Sequence, residues 1–197
     1  QPALLSTVMR TKDAEFLRIL NFVREGIVND DVTEFLDERI IHPPVRYGDD
    51  ATRLYPRRAE TDRYNLERLE AIQKPCHTFE TLYEGREKEL EKAKKNFPIP
   101  EILSLKEGAL IMMRKNDASD DHRYVNGSLG IVEKIGGESL TIHLHTGTTV
   151  KAAPEKFSCL NGDGMEVATA WNFPVTLAWA ATIHKSQGAS LDRVVVN

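Results

Sequence analysis

Leu177-Ala178-Trp179-Ala180-Ala181-Thr182-Ile183-His184-Lys185-Ser186-Gln187-Gly188 is the stretch on which the reading of this chain turns, and Ala189-Ser190-Leu191-Asp192-Arg193-Val194-Val195-Val196 follows it. The pattern predicts a small-residue helix that carries a polar cluster, stops at a glycine and gives way to a buried-type strand. On a wheel turning about 100° per residue, Lys185 and Ser186 fall beside Thr182. Ile183, His184 and Gln187 share the opposite side. Two hydroxyls and an ammonium on one face offer donors and positive charge together, which suits phosphate oxygens. His184 adds a donor for phosphate or base, and Gly188 permits the abrupt turn. The competing reading is a buried helix whose hydroxyls bond back to their own carbonyls while its lysine reaches out to water.

Upstream, Asp13 to Glu25 reads as a helix, with Phe16, Ile19, Leu20 and Val23 on one face, Asp13 as cap and Gly26 as stop. A short amphipathic segment runs from Asp31 to about Asp37, and His42-Pro43-Pro44 breaks the pattern. Ala51 to Tyr55 is strand-like, Pro56 ends it, and Arg57 to Ile72 reads as a helix with Leu66, Leu69 and Ile72 in a partial apolar stripe. A strand leading directly into a helix is the repeating unit of α/β domains. Lys74 to Pro100 reads as a solvated connector, its centre a highly charged helix from Arg86 to Asn96. From Ala109 the rhythm becomes strand-like: Ala109 to Met113, Gly130 to Ile135, Ser139 to His145 and Thr148 to Lys151. Asn126-Gly127, Gly136-Gly137 and Thr146-Gly147 separate them and suit tight turns with positive φ. A small barrel is the natural closure of such a meander. Met165 to Phe173 then leads back to the α/β pattern, so the β segment reads as an insertion.

Composition sets the bounds. Of 197 residues, 41% are hydrophobic and 28% charged, which fits an ordinary soluble globular protein. The net charge of −4 means that any nucleic-acid site must rest on local charge. Two cysteines, Cys76 and Cys159, suit neither a disulfide framework nor a clustered metal site, and point to a reducing compartment. His143 and His145 share a strand face, but no further ligand completes a metal site. No long apolar run or signal peptide is present, so no membrane is expected. The opening Gln1-Pro2 is what a fragment or processed product would show.

The motif from Leu177 to Gly188, with its Leu-Asp-Arg-Val-Val-Val tail, resembles the nucleic-acid-contacting motif near the C-terminal end of superfamily 1 helicases. The resemblance is to the RecD-like and petite-integration-frequency (Pif) types, which move 5′ to 3′ along single-stranded DNA. It implies an α/β fold: a RecA-like parallel-sheet domain, the second motor domain, formed by residues 1–74 and 167–197. Residues 75–166 would be the inserted connector and a small Src-homology-type β-barrel, where Gly108 to Met113, Asn116, Asn126-Gly127 and Gly130 to Val132 match. Thr182, His184, Lys185 and Ser186 would contact the DNA strand, and Gln187 and Gly188 would lie nearer the nucleotide.

Leu5 to Arg10, followed by Asp13 to Phe16, resembles the segment that opens the second motor domain, so Arg10 would reach across to the phosphates of ATP as a catalytic arginine. Thr11 stands where the family has glutamine. Thr52 to Arg58, with Asp62 and Asn65 downstream, resembles the family's strand–loop–helix, and Arg57 and Arg58 would touch the DNA backbone.

No G-x-x-x-x-G-K-[ST] occurs, so ATP and Mg2+ would be held mainly by a first RecA-like domain outside this sequence. On this reading the chain is a piece of a cytoplasmic, bacterial or phage-type helicase and does not hydrolyse ATP alone. The alternatives are a standalone nucleic-acid or protein binding module without ATPase activity, and a fragment of an RNA helicase.

Overall fold

The computed structural model describes residues 13–40, 51–187 and 194–196. The chain divides into two compact units, Gln1–Tyr47 and Gly48–Asn197. In the first, α1 (Ala14–Arg24) and α2 (Asp30–Asp37) are each started by a side-chain cap. Asp13 Oδ1 accepts from Phe16 N at 2.9 Å, and Asn29 Oδ1 accepts from Val32 N at 3.1 Å. Gly26, with φ of 74°, follows the end of α1. Ile19 and Val32 are buried, Phe16 stacks on Phe35, and Arg18 pairs with Asp31. The predicted stripe on α1 is only partly covered, since Leu20 and Val23 remain exposed.

In the second unit, β1 (Thr52–Tyr55) leads through Pro56 into α3 (Arg58–Glu70). There follow β2 (His77–Glu80), β3 (Leu82–Gly85), α4 (Glu87–Lys94) and β4 (Ile102–Leu105). The meander holds β5 (Leu110–Met113), β6 (Leu129–Ile135), β7 (Leu140–Leu144) and β8 (Thr149–Ala152). After it come β9 (Glu155–Leu160), β10 (Glu166–Asn172), β11 (Val175–Leu177) and β12 (Ala180–Thr182). A four-residue helix α5 (Ile183–Ser186) and β13 (Val194–Val196) complete the order.

The fold is α/β, with a parallel sheet ordered β12-β1-β13 beside antiparallel ones. Arg53 pairs with Ala180 and Tyr55 with Thr182, while Thr52 pairs with Val194. Strands far apart in sequence thus meet in one layer, with the antiparallel elements between them in the chain. The meander forms a five-stranded antiparallel sheet ordered β11-β5-β6-β7-β8. All four residues of β5 are buried, together with Val132, Leu140, Ile142, Leu144 and Val150. That burial, and the irregularity between Val132 and Lys134, is compatible with the small barrel expected from the sequence.

Four expectations need correction. Residues 177–188 are not one helix: β11, two buried residues and β12 precede the single turn of α5. Alanine's helix preference is overridden because the backbone bonds outward instead. Ala178 N donates to Leu110 O, its carbonyl accepts from the Thr52 hydroxyl, and Arg53 N donates to Trp179 O. Secondly, residues 74–100 are integral structure rather than connector. β2 pairs with β4 and β3 with β10, and Ala93, Phe97 and Ile99 pack with Phe157, Ala168 and Ala170 in a second core. A charged helix needs only a few inward anchors to dock, and these were enough. Thirdly, β10 returns to an antiparallel sheet with β3 and β9, so the parallel layer resumes only at β12. Lastly, Gly127 and Gly147 have positive φ as expected, but Gly136 and Gly137 do not.

Candidate nucleic-acid interface at the ends of the parallel strands

The register Tyr55↔Thr182 brings β1 and β12 to an end at the same edge of the parallel sheet. The chain leaves β1 as Pro56-Arg57-Arg58 and leaves β12 as α5. Residues separated by more than a hundred positions therefore share the rim beyond the strand C-termini, where open α/β sheets take ligands. A cleft of about 840 Å³ opens there, and Arg58, Asp62, Thr182, His184 and Lys185 line it.

Each side chain has a local reason for its place. Thr182 is the N-cap of α5, its Oγ1 accepting from Lys185 N at 3.2 Å. The hydroxyl proton is then left to donate elsewhere. Ser186 donates to Ile183 O at 2.9 Å, the back-bonding expected of the structural alternative, so its proton is committed to the helix. His184 and Lys185 are exposed at residue level. The Lys185 ammonium is nonetheless lowered from its ordinary pKa by partial desolvation, then by the positive charges of Arg58 and Arg114, with Asp62 acting the other way. Arg58 reaches Asp62 at 3.3 Å, one turn along α3. Arg57 is the exposed N-cap of α3 and makes no side-chain capping bond.

Arg58, Thr182, His184 and Lys185 are therefore brought to one cleft. Arg57, Ser186 and Gln187 are adjacent in sequence but are not among its lining residues. Arg10 and Gly188 fall outside the described residues. His143 Nδ1 lies 3.0 Å from Thr149 Oγ1 and 3.8 Å from a Glu133 oxygen. Among the described residues, no three His, Cys, Asp or Glu side chains group as metal ligands, and no helix is long and apolar enough to cross a membrane.

Two residues matter more than the sequence reading allowed. Asn65, noted there only as a neighbour of the strand–loop–helix, is buried on α3 and clamps β12. Its Nδ2 donates to Ala180 O at 2.9 Å and its Oδ1 accepts from Ala180 N at 2.8 Å. Arg114 also lines the cleft, from the end of β5. Its only signal in the sequence is that it opens an Arg-Lys pair directly after four apolar residues.

No family model matches the chain. It is 38% identical over 192 residues to the ATP-dependent DNA helicase Pif1 of Bdellovibrio bacteriovorus, covering 98% of this chain and 43% of that protein. Among solved structures, Bacteroides sp. Pif1 in complex with ADP-AlF4 superimposes with a TM-score of 0.80 at 27% identity, over 96% of this chain and 44% of that one. A Bacteroides Pif1 in complex with ADP-AlF3 and single-stranded DNA matches with a TM-score of 0.64 at 26% identity, over 98% of this chain and 44% of that one. The chain thus spans less than half the length of these relatives. By sequence along nearly its whole length, and by fold, it belongs with the Pif1-type superfamily 1 helicases as a segment of such a protein.

Proposed function

We propose that this chain is the second RecA-like motor domain, with its inserted small barrel, of an ATP-dependent 5′-to-3′ DNA helicase. Residues 1–74 and 167–197 form the motor portion and residues 75–166 the insertion. A first RecA-like lobe supplies the phosphate cradle and the Mg2+ ligands, and Arg10 adds a fixed positive charge at the ATP phosphates. The rim of β1 and β12 holds single-stranded DNA: Lys185 and Arg58 oppose phosphate charge, while Thr182 and His184 donate hydrogen bonds. Differential grip in two lobe arrangements then moves the strand. The observation that carries this reading is the convergence of Arg58, Thr182, His184 and Lys185 on one cleft beyond the parallel strands. The likeness to a Pif1 structure that contains single-stranded DNA supports it.

The test is a salt titration of a labelled oligonucleotide with this chain. Binding to a single strand weakens with salt at a log–log slope of about −0.7 per phosphate neutralised. Lys185→Ala flattens the slope by about that amount, alike for all sequences. Thr182→Val weakens binding at nearly unchanged slope, because a neutral donor is lost. Circular dichroism excludes unfolding. Binding by Lys185→Ala equal to wild type at every salt concentration refutes the assignment. The chain alone hydrolyses no ATP; steady turnover by the pure chain that disappears in Arg10→Ala contradicts the two-lobe reading.

A further inference from the structure

Arg114 is an unusual occupant of the cleft wall. Its backbone N–H donates to Pro174 O at 2.7 Å, which fixes the main chain just beyond β5. Among the described residues its Nη1 reaches only the Met112 sulfur, at 3.3 Å, a weak acceptor, and its Nε is buried without a hydrogen-bond partner. Among the described residues, no carboxylate lies within ion-pair distance of it. Burial also lowers its pKa from the ordinary guanidinium value. A withdrawn cation with an orphaned donor costs free energy unless something supplies the missing acceptor.

The surroundings say what that acceptor is. Arg58, Lys94, Lys95 and Lys185 line the same cleft, so with Arg114 five cations gather on it, from α3, the end of α4, α5 and the residue after β5. Asp62 is already engaged by Arg58, and Glu91 and Glu101 line the cleft as well. Like charges drawn together repel, and an anion seated among them relieves both the repulsion and the unmade bond. Thr182 presents a spare hydroxyl proton there. A planar guanidinium beside an ammonium and a hydroxyl suits the oxygens of a phosphodiester.

We infer that Arg114 binds a backbone phosphate of the single strand, so that the strand is gripped jointly by the parallel sheet and by the inserted antiparallel sheet. This rests on the strand-binding reading above and adds a contact from the insertion. The insertion then takes a direct part in holding the strand.

The experiment uses this chain, a fluorescein-labelled twelve-residue oligothymidylate and, separately, inorganic pyrophosphate. Arg114→Gln weakens oligonucleotide binding about tenfold at low salt and flattens the salt slope by about 0.7, as loss of one charge-assisted phosphate contact requires. Arg114→Lys keeps the slope but loses affinity, because the fork is gone. In the wild type, the Arg114 Nε–H resonance moves on oligonucleotide addition, a readout that does not depend on the variants folding. Variant slopes and affinities equal to wild type, with Lys185→Ala still impaired, overturn the Arg114 contact and leave the strand-binding reading intact. No binding by the wild type at low salt removes both. A resonance that responds as strongly to pyrophosphate as to the oligonucleotide assigns the site to a free phosphate ligand and overturns the strand contact.

Discussion

Replacing Asn65 by alanine tests how β12 is held in place. Two hydrogen bonds, at 2.9 and 2.8 Å, join the Asn65 amide to the carbonyl and N–H of Ala180. Among the described residues β12 is an edge strand, and its other side is occupied by β1. The amide thus stands in for a neighbouring strand at one residue, and that edge is paired without a further strand there. Asn65 is 7% exposed and Ala180 2%, so water does not readily replace the lost partner. Each buried backbone group left unpaired costs about 1–3 kcal/mol. Two of them place the loss at about 2–6 kcal/mol, a large share of the roughly 5–15 kcal/mol that holds a typical domain. Urea unfolding followed by circular dichroism measures this, with an unchanged denaturant slope showing that the unfolded state is comparable. Hydrogen exchange supplies the local readout, since the Ala180 amide loses protection in Asn65→Ala. Thr182 lies two residues further on, so oligonucleotide affinity falls even where the variant remains folded. A stability within about 0.5 kcal/mol of wild type, the range of ordinary surface changes, refutes the clamp.

Two further outcomes concern the antiparallel meander and the segment between β5 and β6. Asp117 accepts from Arg123 Nε at 2.7 Å, from the Ser119 hydroxyl at 2.8 Å and from two backbone N–H groups, which hold its carboxyl well below the usual carboxylate range, the Arg123 bond most strongly. A depressed folded pKa means that stability is fully present above the unfolded value of about 4 and drains as pH falls through the lower folded value. Acid titration of thermal stability therefore shows a decline below about pH 4 that Asp117→Asn flattens, while the same variant is less stable than wild type at pH 7; parallel profiles contradict this. Gly130→Ala places a Cβ 2.7 Å from Ile142 Cγ2 and 2.9 Å from the His143 carbonyl oxygen, which a strand backbone cannot easily yield. Thermal melting then shows a loss of about 1–3 kcal/mol, and an unchanged melting temperature refutes the tight approach.

What was legible in the sequence was what periodicity and punctuation encode locally. Asp13 and Gly26 marked α1 because caps are set by the chain within a few residues. The meander was legible because β5 to β8 alternate or bury at intervals broken by turn residues. The decisive motif was recognised by its residues but given the wrong local shape. Ala178 to Ala181 look helical in isolation, and only partners from β1, α3 and β5 make them extended. Such partners are distant in sequence, so no window reveals them. The same cause hid the second core, where Phe97 waits for Phe157 and Ala168. Within the candidate site, Lys185 and Arg58 are legible as cations near motifs, and the structure brings both to one cleft. Arg114 was not, since its importance lies in an unmade bond visible only in three dimensions.

The junction at Ala178 and Trp179 has a spectroscopic consequence. These two residues, 1% and 5% exposed, are all that separate β11 in the antiparallel sheet from β12 in the parallel one. The chain contains two tryptophans, and the other, Trp171, is 47% exposed on β10. Iodide quenches a solvent-facing indole far more than an enclosed one, so emission surviving the quencher comes mainly from the joint. Arg68 lies 5.8 Å from the Trp179 ring, close enough for a shift of α3 to change its surroundings. The protein thus carries its own fluorophore where its two layers meet, and bending there can be followed without attaching a dye.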